Sequence, residues 1–563
     1  MIDFPKQESL IFYNGKIITM EDSNPTTSAV FVQDGIIQAI GPQEEILSRK
    51  TNKTKIIDLQ GRTLLPGFID PHTHLATSTF LHTMVDLSGF TNDTPEQLWS
   101  RLQQHVSITP PGYWIICKGL DPILVKGLEA PHISFLDSIA PQNPVIILAQ
   151  SLHSYWGNSL AFEKVGIDKN TTDPSTSSFY EKDTNGNLTG FIAEQEAFQP
   201  FIHAFEKIFT SDLMIRTTIH VLEDYAKRGN TTIVSTGLSI QDGKPLQLYE
   251  HLSAAKPKLL NQLLVALSFL PPRSSTVRHF IYHRHDRVHL LPESPQNGDD
   301  HYRVLGVKHW YDGSPYTGSM FLNEPYKVSE LTEKGLLIPE GGHGERLVEK
   351  SALIDFIEKY QNEGWQIAVH TQGDAAINET IEAFEKVNIN NDISNFRHRL
   401  EHCLLLPDDA IKKLAKLNIT PSIHINHILY YGEALKNDII GEERANKILP
   451  LNSIHQNGLK FSLHADQPMF ESHPLRLIQT AVERKTKKGE ILGENEKLNI
   501  MEALKAMTIH AAWQIKMENK IGSIKVGKYA DLIILDKNPL EVPYEELENI
   551  QVLDAFVSGN EVF

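Results

Sequence analysis

Hydrophobic residues in this chain fall into short runs closed by turn residues, and the spacing of those runs changes along its length. Near the start, Leu10-Ile11-Phe12-Tyr13 precedes Asn14-Gly15, and Ala29-Val30-Phe31-Val32 precedes Gln33-Asp34-Gly35. Asn-Gly and Asp-Gly favour the positive φ of hairpin turns, so the chain opens with a small antiparallel sheet. Strand-like runs return at 530–535 and 552–557, the latter followed by Ser558-Gly559-Asn560. Two terminal β segments around a long α/β middle are expected to pack as one discontinuous domain, 1–62 with 521–563. Just inside the first segment, Leu64-Leu65-Pro66-Gly67-Phe68-Ile69-Asp70-Pro71-His72-Thr73-His74-Leu75 reads as a buried strand running into two histidines. Side chains alternate along a strand, so His72 and His74 point the same way at its C-terminal end. That is a metal-ligand geometry, although an isolated pair also reads as two surface histidines beside a proline turn.

Further on, strand-length runs recur with helix-length spacing at 231–235, 260–267, 303–309, 366–370, 397–402, 419–423 and 460–464. The stretches 348–363, 375–387 and 408–417 between them have helical periodicity. With the first strand these make about eight, the number a closed barrel needs. A barrel domain over 63–520 follows. Residues 76–210 break the repeat: runs at 114–117 and 145–148 alternate with Pro-rich loops, and Asp183-Thr184-Asn185-Gly186-Asn187 reads as a hairpin turn. We read this segment as an insertion after the first strand, expected to cap a site at the strands' C-terminal ends.

Composition narrows the function classes. A chain of 563 residues is long for one core, so a large domain with a smaller companion is expected. A net charge of -17 without a cluster of Lys and Arg argues against nucleic acid. No run approaches the ~18 apolar residues of a membrane span, and Met1-Ile2-Asp3-Phe4-Pro5 does not open a signal peptide. Cys117 and Cys403 lie outside any Cys-x-x-Cys pattern, so neither a disulfide framework nor a thiolate zinc site is indicated. A cytoplasmic enzyme with a small-molecule substrate is expected, its oligomeric state left open, a homo-oligomer included.

Candidate chemistry gathers at the strand ends. The first strand ends in His72 and His74, the fourth carries Lys308, the fifth ends in His370, the sixth in His402, and Asp466 follows the eighth. Imidazoles with a carboxylate suit Zn2+ and related divalent ions. Pro66-Gly67-Phe68-Ile69-Asp70-Pro71-His72-Thr73-His74 resembles the first-strand signature of the amidohydrolase superfamily, metal-dependent hydrolases on a (β/α)8 TIM-like barrel. Ser151 to Ser159, Gly190 to Glu194, Val307 to Ser314, Val369 to Ile377, Arg399-Leu400-Glu401-His402 and His464 to Pro468 are similar to motifs of its amidohydrolase 3, or YtcJ-like, branch. Gly522 to Leu532 resembles the return strand of that family's terminal β-sandwich. His464 stands where a small Ser is common, and Trp310-Tyr311 where smaller residues are frequent.

The resemblance implies an α/β fold and hydrolysis of a non-peptide carbon-nitrogen bond, amide or N-acyl or N-formyl amine. It implies one or two zinc ions per chain, held by His72, His74, His370, His402 and Asp466. Lys308, carbamylated to N6-carboxylysine, would bridge them. Asp466 would carry the proton from water to the leaving nitrogen, and His153 would hold the substrate carbonyl or simply bond backbone. Tyr155, Trp156, Trp310 and Tyr311 would wall the pocket or serve as core. Asp374 and Glu401 are expected to orient histidines or hold backbone. The alternative is deamination of a cyclic amidine or base. Deaminases of this superfamily commonly place Glu three residues after the fifth-strand histidine, where this chain has Gly373. A non-catalytic scaffold is the remaining class.

Overall fold

The computed structural model describes residues 9–563 apart from 153, 176–177, 206–207, 241, 257, 268–269, 273–275 and 337, and apart from the side chain of 195. It is a mixed α/β fold around eight parallel strands: Phe68–Thr73, Asn230–Leu238, Arg278–Arg284, Tyr302–Trp310, Gln366–Thr371, Arg399–His402, Thr420–Ile423 and Ser462–Leu463. Each pairs in parallel with the next in chain order, giving a nearly closed barrel. Where the first and eighth strands meet, His74 N–H donates to the Gln467 carbonyl at 2.8 Å. Ile69, Val234, Phe280, Tyr282, Leu305 and Ala368 fill the interior against Ala511, Ala512 and Ile515. This apolar plug leaves the opposite end of the strands for polar side chains. Among the described residues no helix is long and apolar enough to cross a membrane.

The third strand is not the one expected. Residues Leu259–Ala266 form a helix, and the place beside the second strand belongs to Arg278–Arg284. The helix is rich in Leu, which favours that state, with Val265 its one β-branched residue. The true strand carries the β-formers Phe280, Ile281 and Tyr282, but Arg278 and Arg284 at its ends hide it from a hydrophobic pattern. Arg278 is fully buried, and its Nε donates to Asp531 at 2.6 Å, tying the barrel floor to the C-terminal segment.

Strands from both chain ends join in one sheet. Ser9–Ile18, Thr26–Gln33, Ile36–Gly41, Thr54–Asp58 and Thr63–Pro66 are joined there by Leu532–Leu535, Val552–Val557 and Asn560–Glu561. The run leading into His72 is therefore two strands. Thr63–Pro66 pairs antiparallel with Leu532–Leu535 in the terminal sheet, and Phe68–Thr73 pairs with Asn230–Leu238 in the barrel. Gly67 makes the hand-over because a Cβ there would stand 2.1 Å from Cγ2 of Thr231. Residues 77–218 form a separate compact unit, with a six-stranded sheet whose order begins at Tyr180–Lys182 and ends at Val85–Asp86.

Candidate functional site

The strand ends bring five of the expected groups together. His72 and His74 come from the first strand and the residue after its turn, and their ring centroids lie 5.3 Å apart. His402 lies 4.9 Å from His72 and 4.4 Å from His370, centroid to centroid. Asp466 Oδ1 is 2.8 Å from His74 Nε2 and 3.4 Å from His72 Nε2. Two of these residues arrive by an unusual backbone. His402 has φ 72° and Asp466 φ 57°, left-handed conformations that cost a non-glycine residue roughly 1–3 kcal/mol and cluster at functional sites. Strand alternation would place Glu401 and His402 on opposite faces. The turn at His402 lets both address His72.

Three carboxylates hold the histidines and their loops. Glu401 Oε2 accepts from His72 Nδ1 at 2.6 Å, and the fully buried Arg399 grips both oxygens of Glu401 at 2.7 and 2.9 Å. Asp312 Oδ1 accepts from His370 Nδ1 at 3.2 Å and from Gln372 N at 2.9 Å, while Oδ2 accepts from Gly373 N at 2.9 Å. These bonds fix the ring orientation and leave Nε2 of each histidine for another partner. Asp374 bonds both the backbone and side-chain nitrogens of Asn323, a backbone-holding role.

The donor set fits a divalent cation. Lys308 Nζ, His402 Nδ1, both ring nitrogens of His424 and His464, and Asp466 Oδ1 are buried and make no hydrogen bond. So many orphaned polar atoms in one place are costly unless something binds them. Among the described residues, His72, His402 and Asp466 offer ligand atoms within 4.8 Å of one another, as do His72, Glu401 and His464. Burial, with the nearby Lys308 and histidines, pushes the His72 imidazole far below its ordinary range, and burial does the same to His402. Both are neutral, the state a ligand needs. Burial alone would raise the Asp466 carboxyl, but His74, His424 and His464 outweigh it and hold the group ionised. Burial brings Lys308 down to about 8, which makes its neutral amine accessible near neutral pH.

The remaining expected residues divide. Trp310 belongs to the site: its ring lies near-parallel to that of His370 at 6.4 Å, and Lys308 Nζ stands 5.3 Å from it. Tyr311, the next residue along, faces away; it is fully buried and its hydroxyl donates to Glu379 on the helix Asp374–Asn388. Of the two readings for Tyr155 and Trp156, pocket wall or core, the structure has them as core residues of unit 77–218. Their strand, Ser154–Gly157, is paired on both edges, and Tyr155 stacks on Phe198 at 3.8 Å. His153 lies outside the described residues.

Sequence reasoning missed Asp312, Arg399 and His424. Asp312 sits four residues after Lys308 in a loop with no periodicity to mark it. Arg399 was visible only as one letter of a motif. His424-Ile425-Asn426-His427 at the end of the seventh strand was a readable signal, two histidines three apart beside the rim.

Comparison with known proteins places this architecture. A model described as amidohydrolase family matches residues 55–563. The chain is 27% identical to N-substituted formamide deformylase of Arthrobacter pascens over 98% of each chain. It is 25% identical to a putative amidohydrolase, YtcJ, of Bacillus subtilis over 98% of this chain and 99% of that one. An uncharacterized metal-dependent hydrolase from Pyrococcus horikoshii has the same fold, with TM-score 0.72 and 22% identity over 96% of this chain and 99% of that one.

Proposed function

Because the chain belongs to the amidohydrolase family, we propose that it is a metal-dependent hydrolase of a non-peptide carbon-nitrogen bond, with an N-formyl or N-acyl amine as substrate. The observation that carries this reading is the contact between Asp466 and His74. Asp466 Oδ1 lies 2.8 Å from His74 Nε2 and 3.4 Å from His72 Nε2, so one carboxylate oxygen and two imidazole nitrogens converge on one place, as ligands of a shared ion do. His72, His74, His370, His402 and Asp466 would hold the ion, Zn2+ being the best match to imidazole and carboxylate. When bound, such an ion polarises the carbonyl and lowers the pKa of water to ~7.

The chain's own residues do the rest. Asp466, ionised and half-buried, takes the proton of the attacking water on its carboxylate and returns it to the leaving nitrogen. Glu401 and Asp312 keep His72 and His370 in the tautomer that presents Nε2. Lys308 as an ammonium would repel a cation. Its neutral amine can add carbon dioxide, releasing one proton and leaving a carboxylate at the end of the side chain. The likeness to the formamide deformylase favours a formyl group.

Protein purified without chelator and supplied with bicarbonate should contain one or two divalent ions per chain by plasma mass spectrometry and release formate or carboxylate from N-substituted amides. Asp466→Asn should keep its fold and lose that release. Wild-type turnover in Asp466→Asn would remove the proton-carrier role. Ammonia release from a cyclic amidine, with no amide cleaved, would transfer the site to deamination.

A further inference from the structure

The barrel carries more imidazole than that chemistry uses. The seventh and eighth strands pair Ile423 with Leu463, and each is followed immediately by a histidine, His424 and His464. Adjacent strands run ~4.8 Å apart, so the register alone sets these side chains at one height on neighbouring strands. His464 N–H donates to the Ile423 carbonyl at 3.0 Å, which keeps that register at the strand ends. The sixth strand pairs His402 with Ile423, and the left-handed turn at His402 brings its ring to the same place. Ring centroids are 5.0 Å apart for His424 and His464, 5.2 Å for His402 and His464, and 5.7 Å for His402 and His424. All three side chains are buried, and none of the four ring nitrogens of His424 and His464 makes a hydrogen bond. His398, equally buried, bonds through both nitrogens. His283 is the other described buried histidine left with neither ring nitrogen bonded, and among the described residues it stands alone, where His424 and His464 converge with His402.

We propose that His402, His424 and His464 form a second cation site that takes a borderline divalent ion such as Zn2+, Co2+ or Cu2+. It goes beyond the hydrolytic reading, since His424 and His464 belong to none of that reading's ligand set and binding here requires no turnover. One nitrogen from each ring lies within 4.8 Å of the others. A four-coordinate ion with bonds of about 2.0–2.1 Å needs nitrogens roughly 3.4 Å apart, so small χ rotations close the set. Three neutral imidazoles with no carboxylate exclude Mg2+ and Ca2+, which take oxygen. Phe470, with its ring 5.0 Å from His424, closes one side with apolar surface.

The test separates this site from the hydrolytic one by disabling the latter. In a His72→Asn, His74→Asn, Asp466→Asn background, which removes the hydrolytic ligands other than His370 and His402 and leaves all three residues of the triad in place, cobalt(II) titration should still fill one position per chain, with the visible absorption of a nitrogen-rich four-coordinate ion. Adding His424→Phe should abolish that equivalent and its absorption while circular dichroism stays unchanged; if that variant does not fold, His464→Gln takes its place. Equal cobalt uptake and equal spectra with and without His424, or no cobalt in the background variant, would overturn the proposal. Amide hydrolysis by the wild type reports on the other reading and is unaffected by either result.

Discussion

His72 and Glu401 share a buried hydrogen bond of 2.6 Å, from Nδ1 to Oε2, and Glu401 is at the same time the counter-charge of Arg399. One carboxylate thus serves both the fold and the site. Glu401→Gln should leave the guanidinium buried without a compensating charge, a change that costs roughly 3–5 kcal/mol. It should also loosen the orientation of His72 and weaken ion binding about 10- to 100-fold. Denaturant unfolding of the metal-free protein measures the first loss, and competition with a zinc chelator the second. A variant that loses stability but holds zinc as tightly as the wild type would confine Glu401 to the fold.

Asp466→Asn preserves shape and removes the proton acceptor. We expect kcat to fall roughly 100- to 10,000-fold while the unfolding midpoint changes little. A fall in kcat/KM through KM alone would instead make Asp466 a substrate-binding group.

His398 predicts an acid limit that does not involve the site. Ile367 N–H donates into its Nδ1 at 3.0 Å, and the ring lies between Phe384 and Phe396, so a second ring proton has nowhere to go. Burial pushes the group from 6.5 down to about 3. As pH falls the unfolded chain takes up that proton first. The stability due to the neutral ring is therefore complete above pH 6.5 and is lost as pH falls toward 3, to a total on the order of 5 kcal/mol. His398→Asn, which keeps an acceptor and cannot titrate, should show a shallower loss of urea stability between pH 7 and pH 4 than the wild type.

Gly67→Ala should destabilise by about 3 kcal/mol, because the new methyl would occupy the space of the Thr231 side chain. Adding Thr231→Gly should recover part of that loss. A neutral Gly67→Ala would show that the two sheets can shift apart at the hand-over.

The barrel and much of the rim were legible because parallel strands buried on both faces are near-continuous apolar runs, and whatever follows such a run projects from the rim. His72, His74, His370 and Asp466 announce themselves in this way. His402 is read in the same way, at the end of the sixth strand, but simple alternation from Glu401 would point it outward, and the left-handed backbone that turns it in is encoded by no periodicity. The third strand was hidden by its terminal arginines, and the leucine-rich segment preferred instead is helical with Leu259 82% exposed. Asp312 bonds His370 and the loop after it, some 60 positions away, and Arg399 reaches the Pro71 carbonyl from the other side of the barrel, and such pairings over long separations leave no local pattern. Tyr155 and Trp156 look the same in sequence whether they line a pocket or fill a core.

The passage of one strand from terminal sheet to barrel at Gly67 also bears on biosynthesis. Pro66 pairs with Leu532, and Ile69 N–H is held by the Met507 carbonyl. A ribosome delivering the chain from its N-terminus has made His72, His74, Lys308, His370, His402 and Asp466 before it makes the segment against which the first of them is anchored. The nascent polypeptide therefore carries these rim residues on a first strand that is not yet anchored, and on the proposed function its competence to retain an ion would arrive only after Met507 and Leu532 have left the exit tunnel.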